Sequence, residues 1–304
     1  MIHTPVLTNE VLEYLNPKPN ENFIDGTFDG GGHTTAILDK TKPKGKILGI
    51  ELDRDLLQNV ESQFEKVQLV GKLILVNGNF KNLKDILNAN SIFKKGDKGQ
   101  YDISGVLLDL GLSLWHLEKS HKGFSFSKNE ILDMRYDREE KLNARDIINT
   151  WSEDKIEKII REYGEEHHSE KIAREIIIER KKKPIITTFN LVEIIKRAVP
   201  WVHGKGMIRM LTRTFQSLRI AVNQEIENLK IVLPQIIDVT KCDGRIVIIS
   251  FHSLEDRIVK FFFKEESKNN RIKILTKKPI RPTEEEIKLN PKAHSAKLRA
   301  AIKI

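Results

Sequence analysis

The chain has 304 residues, 39% hydrophobic and 31% charged, with a formal net charge of +9. That length suits two domains, or one α/β domain with a large insertion, and the composition supports an ordinary core under a soluble surface. No apolar run reaches membrane-spanning length, no signal peptide is recognisable, and the single cysteine, Cys242, excludes both an internal disulfide and a Cys-x-x-Cys zinc site. A reducing, cytoplasmic setting with no membrane partner and no metal is therefore expected. The basic excess is uneven: Lys264 to Ile304 carries twelve Lys/Arg against five Glu. Such a tail is either a solvated surface or an edge that contacts phosphates.

Five strands are predicted in chain order, at Asn22–Asp25, Lys46–Glu51, Lys72–Val76, Ile103–Leu110 and Arg245–Phe251. Runs such as "GVLLDL" and "RIVIISF" are continuously apolar, as parallel strands covered on both faces are. Helical patterns lie between them, at Thr34–Leu38 and Asp55–Val67. The alternation predicts a doubly wound, mostly parallel sheet. After Leu110 roughly ninety-five residues pass without a core strand, far beyond an ordinary connection. Helices are predicted there after the cap Ser152, at Ser169–Lys183 and at Phe189–Val199. An all-α insertion over 116–205 is expected, splitting an α/β domain of 1–115 and 206–304. "TRTFQSLRIAVNQEIENLKIVLPQI" reads as one long amphipathic helix, with Phe215, Leu218, Val222, Ile226 and Leu229 on one face. "RIKILTKK" and "AKLRAAIKI" read as a closing strand pair, with a capping box at Thr283–Glu286 between them. "KKGDKGQ", at Lys94–Gln100, reads as a polar loop.

Ligands of an open α/β sheet bind at the carboxyl ends of its strands. The stretch "FIDGTFDGGGHT", Phe23 to Thr34, lies at such an end. Gly30, Gly31 and Gly32 would let backbone approach a ligand. The dinucleotide pattern G-x-G-x-x-G fails at Thr35, and no P-loop exists. Asp25 and Asp29 would repel a pyrophosphate but attract a cation. S-adenosylmethionine, an adenosine with an ammonium and a sulfonium and no phosphate, suits these residues better than NAD. Glu51 or Asp53, at the next strand end, could accept from ribose hydroxyls; Glu51 lies nearer the strand. Phe80 is a candidate to stack on adenine. Asp109 could accept from adenine, from the cofactor ammonium or from a substrate amino group. His252 and Ser253 end the fifth strand, where Ser253 or Ser250 would cap the next helix.

Several segments together resemble one family: "HTPVL", "DGTFDGGGHT", "NGNF", "LDLGLS", "GFSF", "LDMRYD", "TRTFQSLRIAVNQEI", "SFHSLEDRIVK" and "NPKAHSAKLRAA". In order, from residue 3 to 303, they are similar to the bacterial 16S rRNA cytosine-N4 methyltransferases of the RsmH/MraW type. The resemblance implies a class I Rossmann-like methyltransferase with a helical insertion. It implies S-adenosylmethionine as cofactor and a cytidine N4 amino group in the decoding centre of the small ribosomal subunit as target. Family cofactor positions fall on Gly31, Gly32, His33, Glu51, Phe80 and Asp109. Where the family has I-D-x-D this chain has Ile50-Glu51-Leu52-Asp53. Where it has S-S-P-Q this chain has Ser113-Leu114-Trp115-His116, so His116 would stand in for a glutamine. The family's H-P-A-T is replaced by Arg209-Met210-Leu211-Thr212.

Cytosine N4 is a weak nucleophile, so such an enzyme must align nitrogen, methyl carbon and sulfur. Asp109 is the first candidate to accept the amino hydrogen; Ser113, His252 and Ser253 are further candidates to hold the base. The target base is expected to leave its stack. Arg209, Arg213 and Arg219, with the insertion and the basic tail, are candidates to grip RNA phosphates, though any one could serve an ion pair. The alternative is the same fold acting on a different RNA, a protein or a small-molecule amine. The oligomeric state is left open, a homodimer included.

Overall fold

The apolar runs form one seven-stranded sheet. In the computed structural model, which describes residues 5–69, 71–90, 93 and 101–304, the strands are β1 (Phe23–Asp25), β2 (Ile47–Glu51), β3 (Leu73–Asn77), β4 (Gly105–Asp109), β5 (Arg245–Ser250), β6 (Ile272–Ile274) and β7 (Lys297–Lys303). Their spatial order is β3-β2-β1-β4-β5-β7-β6. The first five run parallel, and β7 runs antiparallel between β5 and β6. Every residue of β1, β2 and β4 is buried, which explains their lack of apolar–polar alternation. The polar loop expected at Lys94–Gln100 lies outside the described residues.

The helices are α1 (Thr8–Leu15), α2 (Gly32–Thr41), α3 (Arg54–Leu69), α4 (Leu83–Ala89), α5 (Leu114–Glu118), α6 (Ala144–Thr150), α7 (Glu153–Glu162), α8 (Ser169–Lys182), α9 (Thr188–Ala198), α10 (Gly204–Asn223), α11 (Glu225–Val239), α12 (Ser253–Lys268) and α13 (Glu284–Leu289). No helix among the described residues is long and apolar enough to cross a membrane. The chain divides into two compact units, Met1–Ser113 with Ile226–Ile304, and Leu114–Glu225.

In the first unit, alternate strand residues Ile24, Leu48, Ile50, Val106, Leu108, Ile246 and Ile248 pack with Leu233 and Ile237 of α11 and Val259 and Phe263 of α12. Burying each such side chain contributes about 1.5–3 kcal/mol. The same sheet also contacts α1, α2 and α3. The expected strand pair at the C-terminal end is β6 with β7. Half of the capping box forms: Thr283 Oγ1 accepts from Glu286 N at 3.2 Å, while the Glu286 carboxylate accepts from Leu7 N at 2.7 Å. At least four of the twelve basic residues of the tail have internal partners among the described residues. Arg299 and Lys297 meet Asp256 at 2.6 and 3.5 Å, Arg271 meets Asp238 and Glu266 at 2.6 and 2.8 Å, and Lys303 donates to Thr240 O at 2.6 Å.

The second unit is all-helical and extends beyond the expected 116–205, because α10 packs on α6, α7 and α9. Met210, Leu211, Phe215 and Leu218 supply the buried face of α10. The long helix expected over Thr212–Ile236 is two helices. Gln224 takes the left-handed conformation (φ 52°) and ends α10. Glu225 then turns back onto Arg219, accepting at 2.8 and 2.9 Å. Sequence periodicity continues through the break, which depends on one backbone dihedral.

Candidate functional site

The chain passes from β3 to β4 across β1, so the sheet reverses direction of growth between β1 and β4. The carboxyl ends of β1, β2 and β4 meet at this switch. The loop after β1 is laced to both neighbours. Gly26 N donates to Leu107 O and Phe28 N to Ile50 O, each at 2.9 Å. Asp109 N donates to Thr27 Oγ1 at 2.6 Å, and Asp29 N donates to Glu51 Oε2 at 2.9 Å. Thr34 Oγ1 on α2 donates to Asp25 Oδ2 at 2.7 Å, and Thr27 N to Asp25 Oδ1 at 3.3 Å.

This lacing gathers carboxylates. Asp25, Glu51 and Asp109 are buried and Asp29 is half-buried. Among the described residues no Lys or Arg forms an ion pair with any of the four. Burial pushes Asp25 up to about 6 and Glu51 up to about 8. Asp29 is pushed well above the carboxylate range by burial and by Glu51 and Asp109 beside it. His33 Nε2 lies 3.5 Å from Asp109 Oδ2, and Asp109 Oδ1 accepts no hydrogen bond from the described residues. A buried anionic cluster is costly without compensating partners. The donor set it fits is a ligand with positive charge and hydroxyl groups and without phosphate, which is the chemistry of the cofactor expected from the sequence.

Glu51, preferred in the sequence for its place nearer the strand end, and Asp53 are also distinguished by their hydrogen bonds. Asp53 Oδ1 accepts from Asp55 N at 2.9 Å and Leu56 N at 3.3 Å, the bonds of an N-cap on α3. Glu51 Oε1 accepts from Asp53 N at 2.7 Å. With Oε2 on Asp29 N, the longer glutamate bridges the loops after β1 and β2, and each oxygen keeps a lone pair for a further donor.

The glycines have a reason besides ligand approach. Gly31 is the N-cap of α2 with φ +70°, and an added Cβ would stand 2.3 Å from Phe64 and 2.7 Å from Phe28. A Cβ on Gly32 would stand 2.9 Å from Pro5. Gly30 is half-buried between Asp29 and Gly31. Phe28 and Phe64 meet edge to face at 5.2 Å and floor the loop. Sequence reasoning missed Thr27, Thr34, Phe28 and Phe64; the "DGTFDGGGHT" run contains the first three, but their partners lie on other elements. Phe80 opens a short 3-10 turn after β3, half-buried against the core.

Ser113 is buried four residues past β4. At the end of β5 the helix cap is His252, not Ser253 or Ser250. His252 Nδ1 accepts from Glu255 N at 3.5 Å, and Nε2 lies 3.0 Å from Glu255 Oε1. Ser253 is the first residue of α12, and Ser250 Oγ donates to Lys297 O at 3.3 Å. His252 Nε2 itself makes no hydrogen bond among the described residues. In the second unit His116 is buried among Trp115, Phe124 and Tyr136, with ring centroids 4.9–5.4 Å away. Of the three arginines, Arg209 is exposed, Arg213 lies 3.5 Å from Glu166, and Arg219 is bound by both oxygens of Glu225. Arg219 therefore serves the α10–α11 turn rather than an exposed phosphate grip.

Comparison with known proteins identifies the family. A protein of Caldicellulosiruptor saccharolyticus named ribosomal RNA small subunit methyltransferase H is 43% identical over 317 aligned positions, covering 99% of each chain. Proteins of the same name from Persephonella marina and Heliobacterium mobile are 42% and 40% identical, again over 99% of each chain. Residues 1–304 match the MraW methylase family, and the chain belongs to that family of methyltransferases.

Proposed function

We propose that this chain transfers a methyl group from S-adenosylmethionine to the N4 amino group of a cytidine in the decoding centre of 16S rRNA, within the small ribosomal subunit. The cofactor reading is supported chiefly by the carboxylate cluster at the ends of β1, β2 and β4, which has no Lys or Arg ion-pair partner among the described residues. The RNA reading is supported by family membership and by the relatives' shared name. Glu51 accepts from the ribose, Phe80 lies against the adenine, and Asp25, Asp29 and Asp109 balance the cationic end. The Gly30–Gly32 turn and His33 complete the cradle.

When bound, S-adenosylmethionine supplies a methyl carbon made electrophilic by its sulfonium. Asp109 accepts a hydrogen bond from the cytosine amino group, which favours a pyramidal nitrogen lone pair aimed at that carbon. On gaining the methyl group the amino nitrogen would give up one proton, and Asp109 would receive it. His33 Nε2 lies 3.5 Å from Asp109 Oδ2. Ser113 and Ser253, past the ends of the adjacent strands β4 and β5, flank the base. The test is a tritiated-methyl assay on small-subunit RNA, assembled subunits and protein extract, with nucleoside mass spectrometry of the product. N4-methylcytidine is expected; label in protein or in another nucleoside would favour the same fold acting on a different amine. Failure of calorimetry to detect S-adenosylmethionine would remove the cofactor reading.

A further inference from the structure

Trp201 stands in the connection between α9 and α10 with 57% of its surface exposed. Of the other two tryptophans, Trp115 is buried and Trp151 half-buried. The Lys171 ammonium on α8 lies 4.3 Å from the Trp201 ring centroid, and His168 meets the ring edge-on at 6.3 Å. A cation–π contact of this kind restrains the indole while leaving most of it in water.

The first turns of α10, next in the chain, keep one face uncovered. Lys205, Ile208, Arg209 and Thr212 are all exposed, at the i, i+3, i+4, i+7 spacing of a single face. From Trp201 to Arg219 the chain has one Lys, three Arg and no Asp or Glu. Arg213 and Arg219 are engaged by Glu166 and Glu225, which leaves an open aromatic ring followed along the chain by the exposed cations Lys205 and Arg209. A base offers a π face to the ring and phosphates to the cations, a pairing that single-stranded nucleic acid supplies and a duplex, with its bases stacked inside, does not.

We propose that Trp201 is a stacking platform for one unpaired base of the RNA substrate, with Lys171, Lys205 and Arg209 meeting the flanking phosphates. This rests on the RNA reading above and adds which surface binds the RNA and in what form. The test measures binding of the full-length protein to a single-stranded 16S rRNA fragment and to a duplex of the same length, by fluorescence anisotropy over a salt series. Trp201→Ala is expected to weaken single-strand binding about tenfold, with duplex binding and the salt slope unchanged, whereas Trp201→Phe retains most of the affinity. Arg209→Ala is expected to lower the salt slope by about one. Calorimetry with S-adenosylmethionine should give the same affinity for wild type and Trp201→Ala, which controls for folding. Wild-type binding matched by Trp201→Ala, or equal loss on both RNAs, would overturn the platform alone. Absence of wild-type binding to any RNA would overturn the RNA reading and the platform with it.

Discussion

Asp109 Oδ2 and His33 Nε2 lie 3.5 Å apart where β4 ends and α2 begins, and both side chains are buried. The imidazole stands beside Oδ2 without hydrogen-bonding it, and among the described residues neither His33 Nε2 nor Asp109 Oδ1 has a hydrogen-bond partner. This asymmetry assigns the two oxygens different tasks. Asp109→Asn keeps the shape but removes the charge and the proton-accepting oxygen. Methyl transfer is expected to fall about 10²- to 10³-fold, the scale of a lost general base. His33→Asn, which leaves Oδ1 in place, should cost about tenfold or less in kcat. Single-turnover kinetics with calorimetry of cofactor binding separate these losses; equal losses in both variants would argue against the division of labour.

The buried carboxylates make stability depend on pH. Glu51 is held near 8 and Asp25 near 6 in the folded chain, above their ordinary 4.5 and 3.8, and Asp29 is shifted the same way. The folded state therefore binds more protons than the unfolded state in this interval, so stability falls as pH rises. The contribution of Glu51 is present below about pH 4.5 and is lost as pH climbs through about 8, on the order of a few kcal/mol. Thermal melts of the ligand-free protein should show Tm declining over this window. Glu51→Gln should flatten the decline and saturating S-adenosylmethionine should offset it, since a bound cation favours the charged carboxylates. A Tm that rises over the same window would contradict the assignment.

Gly31→Ala tests the loop floor. The substitution needs φ near +70° and places a methyl inside contact distance of Phe28 and Phe64. A loss of about 2–4 kcal/mol is expected from the strained dihedral together with overpacking. Gly71, also at positive φ but with nothing within 4 Å, should lose only about 1–2 kcal/mol on the same change. Chemical denaturation of the two variants gives the comparison.

Arg209 and Arg219 share a helix but not a role. Arg219→Ala leaves Glu225 without its partner at the α10–α11 turn and should destabilise the fold by about 1–3 kcal/mol. Arg209→Ala should leave the melting curve within about 0.5 kcal/mol of wild type and weaken RNA binding at low salt. Melting and binding measured on both variants should dissociate in this way.

The parallel strands and the inserted helices were legible because fully buried strands force apolar runs, and the interruption after Leu110 exceeds any ordinary connection. Strand ends were also legible, which is why Glu51, Asp53 and Asp109 stood out. The preference for Glu51 came from its place at the strand end, whereas the N-cap bonds that occupy Asp53 left no mark, because they rest on which backbone N–H each carboxylate meets. The engagement of Arg219 and His252 was hidden for a similar reason: their partners Glu225 and Glu255 matter only through geometry. The division at Gln224 left no mark, since the hydrophobic period runs through it.

The place of β7 in the sheet bears on how the protein is made. β7 follows the other six strands of the sheet along the chain, yet it lies inside the sheet, between β5 and β6. Until residues 297–303 emerge, β5 presents an open edge of unpaired amides and carbonyls and β6 has no neighbour. The nascent chain therefore cannot finish its sheet strand by strand as it appears. A stalled or prematurely ended chain would expose a sticky edge next to the apolar run Ile246–Ile249, marking it for chaperones or proteolysis rather than for partial activity.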